Sequence, residues 1–233
     1  TYWIRHEKSR SSNARERTGG LKPLLKAGIL SFQGDIEENS NAIKESFKEL
    51  EIEGTVIFVK DLQDLDEIDG LIIPGGESTV IGMLLFLQEV QLELIRKKIQ
   101  EGMPILGTCA GLIMLSNKVY DKTIGETKQP LLKVLDVTIE RNAFGRQHES
   151  FESELDISYL GERRFNGVFI RGPAITEIGK DVEVIAEYDK KIVAVKQNNI
   201  LGTSFHPELA NDNRFHTNLV KLMVEYNKSK KRK

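Results

Sequence analysis

The sequence predicts an α/β fold, a three-layer sandwich with a mainly parallel central sheet and added antiparallel strands. Three observations predict it. Short, continuous apolar runs alternate with helical segments through the first half of the chain, as in a parallel sheet covered on both faces. The clearest of these runs stop at polar or Gly- and Pro-containing turns. After about Lys118 the runs become closely spaced and β-branched with few helical segments between them, which adds antiparallel or mixed strands. The 233 residues, 39% hydrophobic, suit one substantial core.

Thr1–Leu25 is polar, rich in Arg, Lys, Ser and Asn, and has no apolar centre of the kind a secretory signal needs; it reads as a disordered extension. Lys26–Phe32 is the first strand, stopped at Gln33-Gly34-Asp35. Ile36, Ile43, Phe47 and Leu50 then recur at helical spacing among charged residues, an amphipathic helix. Thr55–Val59 and Leu71–Ile73 are further strands, the second stopped by Pro74-Gly75-Gly76. A helix starting near Ser78, with that residue available as its N-cap, and another over Glu89–Glu101 precede a strand at Pro104–Leu106. The later strand candidates are Lys133–Ile139, Val168–Ile170, Val182–Glu187, Ile192–Val195 and Ile200–Phe205. Asn211 or Asp212 caps a final helix with Phe215, Leu219, Leu222, Met223 and Tyr226 on one face. Lys228–Lys233 reads as a short, frayed basic tail.

The charge balance, 33 Lys and Arg against 35 Asp and Glu, leaves a net charge of -2 and no basic field for a nucleic-acid backbone. The longest apolar stretch, Val80–Leu87, falls far short of the roughly 20 residues of a spanning helix, so no membrane is expected. The single cysteine, Cys109, excludes an intramolecular disulfide and suits a reducing cytoplasm.

Gly107-Thr108-Cys109-Ala110-Gly111 follows one strand and precedes a helix, which is the nucleophile-elbow pattern with Cys in place of Ser. Small residues permit a strained turn there, and a helix N-terminus with a nearby imidazolium favours the thiolate. Taken alone, the pattern favours a glycine-bounded turn around a packed cysteine; beside the motifs that follow it favours a nucleophile. Phe205-His206-Pro207-Glu208 closes the last strand, at the edge where a parallel sheet presents side chains to ligands. His206 is the candidate base and Glu208, two residues on, the group that fixes its tautomer. His148 and His216 are weaker rivals, since neither has a carboxylate in an equally suggestive strand-end setting. Paired glycines at Gly75 and Gly76 let backbone N–H groups approach a ligand, and Gly76 with Ala110 forms a candidate oxyanion hole.

SFQGDIEEN, PGGEST, GTCAG, RNAFGRQHESFE, FIRGP and TSFHPEL, spread from about Lys26 to Asn227, give the chain a more specific resemblance. It resembles the triad-type class I glutamine amidotransferases, and among them the family of glutaminase subunits of pyridoxal 5′-phosphate synthase. The resemblance implies a flavodoxin-like sandwich over 26–227. It implies hydrolysis of L-glutamine to glutamate and ammonia by Cys109, His206 and Glu208. It further implies glutamine held by Gly76, Glu77, Ser78, Arg141, Ile170 and Arg171, no cofactor or metal, and delivery of ammonia to a synthase partner inside a large hetero-oligomer. Gln33 and Gly75 are the positions suited to couple that partner to the site. The polar arm ahead of the first strand departs from the family pattern, as does a slightly longer segment between Tyr120 and Lys133.

Two other functions use the same residues. An amidotransferase of another pathway, or a γ-glutamyl cysteine hydrolase, would share the triad, although RNAFGRQ and FIRGP argue against the hydrolase. A non-catalytic regulatory subunit would have no need to keep nucleophile, base and acid together.

Overall fold

The computed structural model describes residues 24–86, 89–144 and 150–230. Most of the expected amino-terminal extension and the rival His148 lie outside them.

The first half runs β1 (Leu25–Leu30), α1 (Ile36–Glu49), β2 (Gly54–Val59), α2 (Leu62–Glu67), β3 (Gly70–Ile73), α3 (Ser78–Phe86), α4 (Glu89–Gln100), β4 (Ile105–Thr108) and α5 (Ala110–Leu115). The second half runs β5 (Ser116–Asp121), β6 (Gly125–Glu126), β7 (Leu135–Glu140), β8 (Ser150–Leu155), β9 (Phe165–Ile170), β10 (Ala174–Ile178), β11 (Glu183–Tyr188), β12 (Lys191–Gln197), β13 (Ile200–Thr203) and α6 (Arg214–Lys230). Among the described residues, eleven strands form one sheet in the order β2-β1-β3-β4-β13-β12-β10-β7-β5-β6, with β11 paired to β12; β8 and β9 form a separate hairpin. Strands β2, β1, β3, β4 and β13 are mutually parallel, and β12, β10 and β7 continue the sheet antiparallel.

Strand alternation decides the two faces of the parallel half. Leu71, Ile73, Ile105 and Ile200 pack into the cluster beneath α4 and α5, while Ile72, Leu106 and Leu201 join the opposite cluster with Phe215 and Leu219 of α6 and Ile43 and Phe47 of α1. These short strands are therefore almost continuously apolar, β3, β4 and β13 being buried at every position, which is why the runs stand out in sequence. Because β2 lies on one side of β1 and β3 on the other, the strand order reverses at β1. The loops leaving the carboxyl ends of β1, β3, β4 and β13 gather around that point, where open α/β sheets bind ligands.

Several elements differ from the sequence-based expectation. α2 is only six residues long, too short for a helical period; it is set by a reciprocal capping box between Asp61 and Asp64. β5 follows α5 without a break, so its signal is hidden behind the apolar LIML run; β6 is only two exposed residues, β8 is a largely polar hairpin strand with one buried position, and β10 is buried only at its first two residues. β13 stops at Thr203 rather than Phe205, and β1 starts at Leu25, one residue before the expected strand. α6 runs to Lys230, so the first part of the expected frayed tail is helical; Lys230 Nζ lies 3.7 Å from Asp69. Ser78 does not cap α3. It is the first residue of the helix, and Glu77 Oε1 accepts from the Thr79 N–H at 3.2 Å instead. Neither expected cap of the last helix sits at its N-cap: α6 starts at Arg214 and Asn213 O accepts the Thr217 N–H at 2.7 Å, while Asp212 Oδ1 accepts the Arg214 N–H at 3.2 Å from one residue further back. No helix among the described residues is long and apolar enough to cross a membrane.

Candidate active site

β4 ends at Thr108 and α5 begins at Ala110, so Cys109 alone turns the chain, at φ 49° and ψ −100°. A non-glycine residue there stores on the order of 1–3 kcal/mol of strain. Its neighbours make the turn possible. A Cβ on Gly111 would lie 1.9 Å from the Ile73 carbonyl oxygen, and one on Gly107 would lie 2.7 Å from the Gly111 carbonyl carbon. Both glycines of the motif are therefore fixed by close packing. The Cys109 N–H donates to Thr203 O at 2.7 Å, which pins the elbow to β13, and Cys109 O accepts from the Ile113 N–H at 3.2 Å. The thiol itself is buried, 3.8 Å from the Ile170 carbonyl.

His206 follows β13 and is anchored by its N–H to Val168 O at 2.8 Å. A 3-10 turn over Pro207–Leu209 swings Glu208 back, so that Oε1 lies 2.9 Å from His206 Nδ1. A second carboxylate, Asp35 Oδ2, stands 3.1 Å from the same nitrogen. The sequence places Asp35 only in a turn. The available signal was its place directly after β1, at the same carboxyl edge as Cys109 and His206. Both carboxylates hold Nδ1, which leaves Nε2 for Cys109.

Burial opposes charge on this imidazole, but hydrogen bonds with Asp35, Cys109 and Glu208 outweigh it and push His206 up to about 12. Burial pushes Glu208 above the usual carboxylate range, against the pull of His206. The hydrogen bond from His206 holds Asp35 below its ordinary value despite desolvation. The result is an imidazolium flanked by carboxylate charge and facing a thiol, an arrangement suited to proton transfer and thiolate attack. Asp35, His206 and Glu208 also bring three potential metal-ligand atoms within 4.8 Å of one another. Here both carboxylates bond directly to the one imidazole nitrogen, the pattern of a relay.

A cleft opens beside Cys109, lined by all six residues expected to hold a ligand: Gly76, Glu77, Ser78, Arg141, Ile170 and Arg171. Ala110, Ile113 and Asn142 complete it; of these, Ile113 and Asn142 lay outside the sequence expectation. Arg141 Nη2 is 3.2 Å from Glu77 Oε1 and Nη1 is 3.4 Å from Thr79 Oγ1, so the guanidinium is held at the cleft wall. Ser78 Oγ is buried and has no hydrogen-bond partner among the described residues. Ala110 is the first residue of α5, so its N–H has no intrahelical acceptor. Gly76 adopts φ +145°, and a Cβ on Gly34 would lie 1.6 Å from Gly75 O; the loops after β1 and β3 touch backbone to backbone. Of the expected coupling positions, Gly75 packs against His206 and Gln33 is exposed in the loop after β1.

The rival His216 is not part of this site. It is fully buried in α6, its Nε2 3.0 Å from Asn39 Oδ1, and burial pushes it down to about 4.

Comparison with known proteins agrees with this geometry. The chain is 46% identical over 200 residues to the pyridoxal 5′-phosphate synthase subunit PdxT of Nitrosopumilus maritimus, covering 86% of this chain and 97% of that protein. It is 47% identical over 205 residues to the subunit of the same name from Staphylothermus marinus, covering 86% of this chain and 100% of that one. A crystal structure of a glutamine amidotransferase superposes with a TM-score of 0.72 at 41% identity, covering 84% of this chain and 98% of the other. Residues 29–225 match the SNO glutamine amidotransferase family, and the chain belongs to that family.

Proposed function

We propose that this chain is the glutaminase subunit of a pyridoxal 5′-phosphate synthase. It hydrolyses L-glutamine to L-glutamate and ammonia and passes the ammonia to a synthase partner within a large hetero-oligomer in the cytoplasm, serving vitamin B6 biosynthesis. The observation that carries this reading is the meeting of Cys109, His206 and Glu208 at the wall of a cleft lined by Glu77, Ser78, Arg141 and Arg171. The names of the relatives supply the pathway.

Cys109 Sγ attacks the side-chain amide carbon of glutamine, and the amide oxygen becomes an oxyanion received by the N–H groups of Gly76 and Ala110. His206 gives its Nε2 proton to the amide nitrogen, the C–N bond breaks, and ammonia leaves behind a γ-glutamyl thioester. His206 then takes a proton from water, the resulting hydroxide attacks the thioester carbon, and glutamate departs as the thiolate re-forms. Glu208 keeps the imidazole in register throughout. Arg141 and Arg171 suit the α-carboxylate, because a guanidinium meets a carboxylate through charge-assisted bonds. The catalytic domain spans 26–227, and the flanking segments lie outside the chemistry.

The test is glutamate release by the chain together with its synthase, followed by glutamine-dependent formation of pyridoxal phosphate. Cys109→Ala should abolish both and keep the fold, since the lost side chain is small and its value is chemical. An electrophilic glutamine analogue should label Cys109 alone. Turnover surviving in Cys109→Ala removes the mechanism. Glutamate release without any effect on pyridoxal phosphate formation assigns the chain to another pathway or to a γ-glutamyl hydrolase.

A further inference from the structure

His206 meets two carboxylates on one nitrogen. Glu208 Oε1 is 2.9 Å and Asp35 Oδ2 3.1 Å from Nδ1, and they arrive from opposite ends of the chain. Nδ1 carries one proton, so the two acceptors share it in a three-centre bond.

The placement of Asp35 is specific. It occupies the N-cap of α1, where an Asp side chain ordinarily accepts from the helix's own N–H groups and contributes about 1 kcal/mol. Here it makes no cap bond. Its backbone is held another way: buried Asn39 donates from Nδ2 to Asp35 O at 2.8 Å, while Asn39 Oδ1 accepts from His216 Nε2 at 3.0 Å. Gly75 leaves the room, since a Cβ there would lie 2.7 Å from Asp35 Oδ2 and 2.4 Å from His206 Cε1. The two carboxylates are also unequal in their surroundings. The Glu208 side chain is wholly buried and its Oε2 has no partner among the described residues, whereas the Asp35 side chain is 33% exposed. A solvated carboxylate keeps its negative charge at less cost than a buried one with an unpaired oxygen.

We propose that Asp35 is a second positioning carboxylate of the site, sharing Nδ1 of His206 with Glu208 and supplying negative charge that keeps the imidazolium opposite Cys109. The proposal rests on the triad reading above and deepens it. The titratable groups acting on His206 are Asp35, Glu208 and Cys109, and those acting on Asp35 are His206 and Glu208. Two carboxylates on one nitrogen back each other up, so losing either alone does less than losing both.

The experiment measures the rate of Cys109 alkylation by iodoacetamide against pH in the full chain. The variants are Asp35→Asn, Asp35→Ala, Glu208→Gln and the double variant Asp35→Asn with Glu208→Gln, each checked by thermal melting. Loss of a carboxylate disfavours the imidazolium and with it the thiolate. Asp35→Asn and Asp35→Ala should each slow alkylation at neutral pH by about 3- to 10-fold and move the profile upward by up to about one pH unit. The double variant should lose more than the product of its single variants. Profiles of Asp35→Asn and Asp35→Ala that coincide with the wild type overturn the proposal, even if glutamine turnover falls, because a loop defect changes turnover without moving this profile. A double variant no slower than Glu208→Gln alone overturns it too. Alkylation needs no glutamine, so failure of the glutaminase reading shows separately, as a wild-type chain with a normal profile that releases no glutamate beside its synthase.

Discussion

A Cβ on Gly111 would stand 1.9 Å from the carbonyl oxygen of Ile73, so the elbow that carries Cys109 is pressed directly against the end of β3. The same contact brings the Pro74-Gly75-Gly76 loop next to the nucleophile. Gly111→Ala should force the two apart. Overpacking of this kind costs about 1–3 kcal/mol. Denaturant unfolding should show that loss, and iodoacetamide should show a changed Cys109 reactivity. An unchanged unfolding midpoint would mean that the elbow is looser than its packing indicates.

Glu208→Gln should be less damaging than His206→Ala. The imidazole moves protons, a role worth about 10²- to 10⁴-fold in rate, while the carboxylate orients it and shares that task with Asp35. Steady-state glutamate release by the two variants, each with the synthase present, checks the ranking. A clearly worse Glu208→Gln would give Glu208 a role beyond positioning.

The isolated chain should hydrolyse glutamine poorly and be activated by its partner, since ammonia released into water at neutral pH is mostly protonated and lost. The switch we expect is the Gly75-Gly76 peptide, which can reverse at little steric cost and re-aim an oxyanion donor. Gly75 packs against His206 and Asp35, and its carbonyl faces Gly34 of the exposed Gln33-Gly34 turn, so a partner docking there can bias the peptide. Gly75→Ala places a Cβ 2.4 Å from His206 Cε1 and should abolish activity with or without the partner. Gln33→Ala should reduce only the activation. Equal turnover of the wild type with and without synthase would remove the gating idea and leave the triad intact.

His216 gives a dependence of stability on pH. Burial holds it near 4 in the folded chain, against 6.5 unperturbed, so the unfolded state binds the extra proton first. Stability is fully present above about pH 6.5 and falls as pH drops toward 4, by on the order of 3 kcal/mol from this group. Urea unfolding at pH 7 and 4.5 should show a steeper loss in the wild type than in His216→Gln. Parallel losses would locate the acid sensitivity elsewhere.

The parallel half of the fold was legible in the sequence for a physical reason. Strands buried on both faces read as nearly continuous apolar runs, and the glycines at 75, 76, 107 and 111 mark where the backbone turns or packs too closely for a side chain. The residues proposed as nucleophile, base and orienting acid, Cys109, His206 and Glu208, stood out because each sits in a short local pattern: an elbow, and a carboxylate two residues beyond a histidine. α2, β5 and β10 were not, because a capping box, an unbroken helix-to-strand junction and a half-exposed strand leave little periodic signal.

The sequence by itself determined which residues carry reactive groups and that the strands bearing them lie in one largely parallel sheet. Only the tertiary structure decided how they meet. The strand order β2-β1-β3-β4-β13 brings residues about 170 positions apart in the chain to one edge, and there the side chain of Asp35 leaves the cap of its own helix for His206. No local pattern encodes that contact. It arises from the pairing of β1 with β3, of β3 with β4 and of β4 with β13, and from the missing side chain at Gly75.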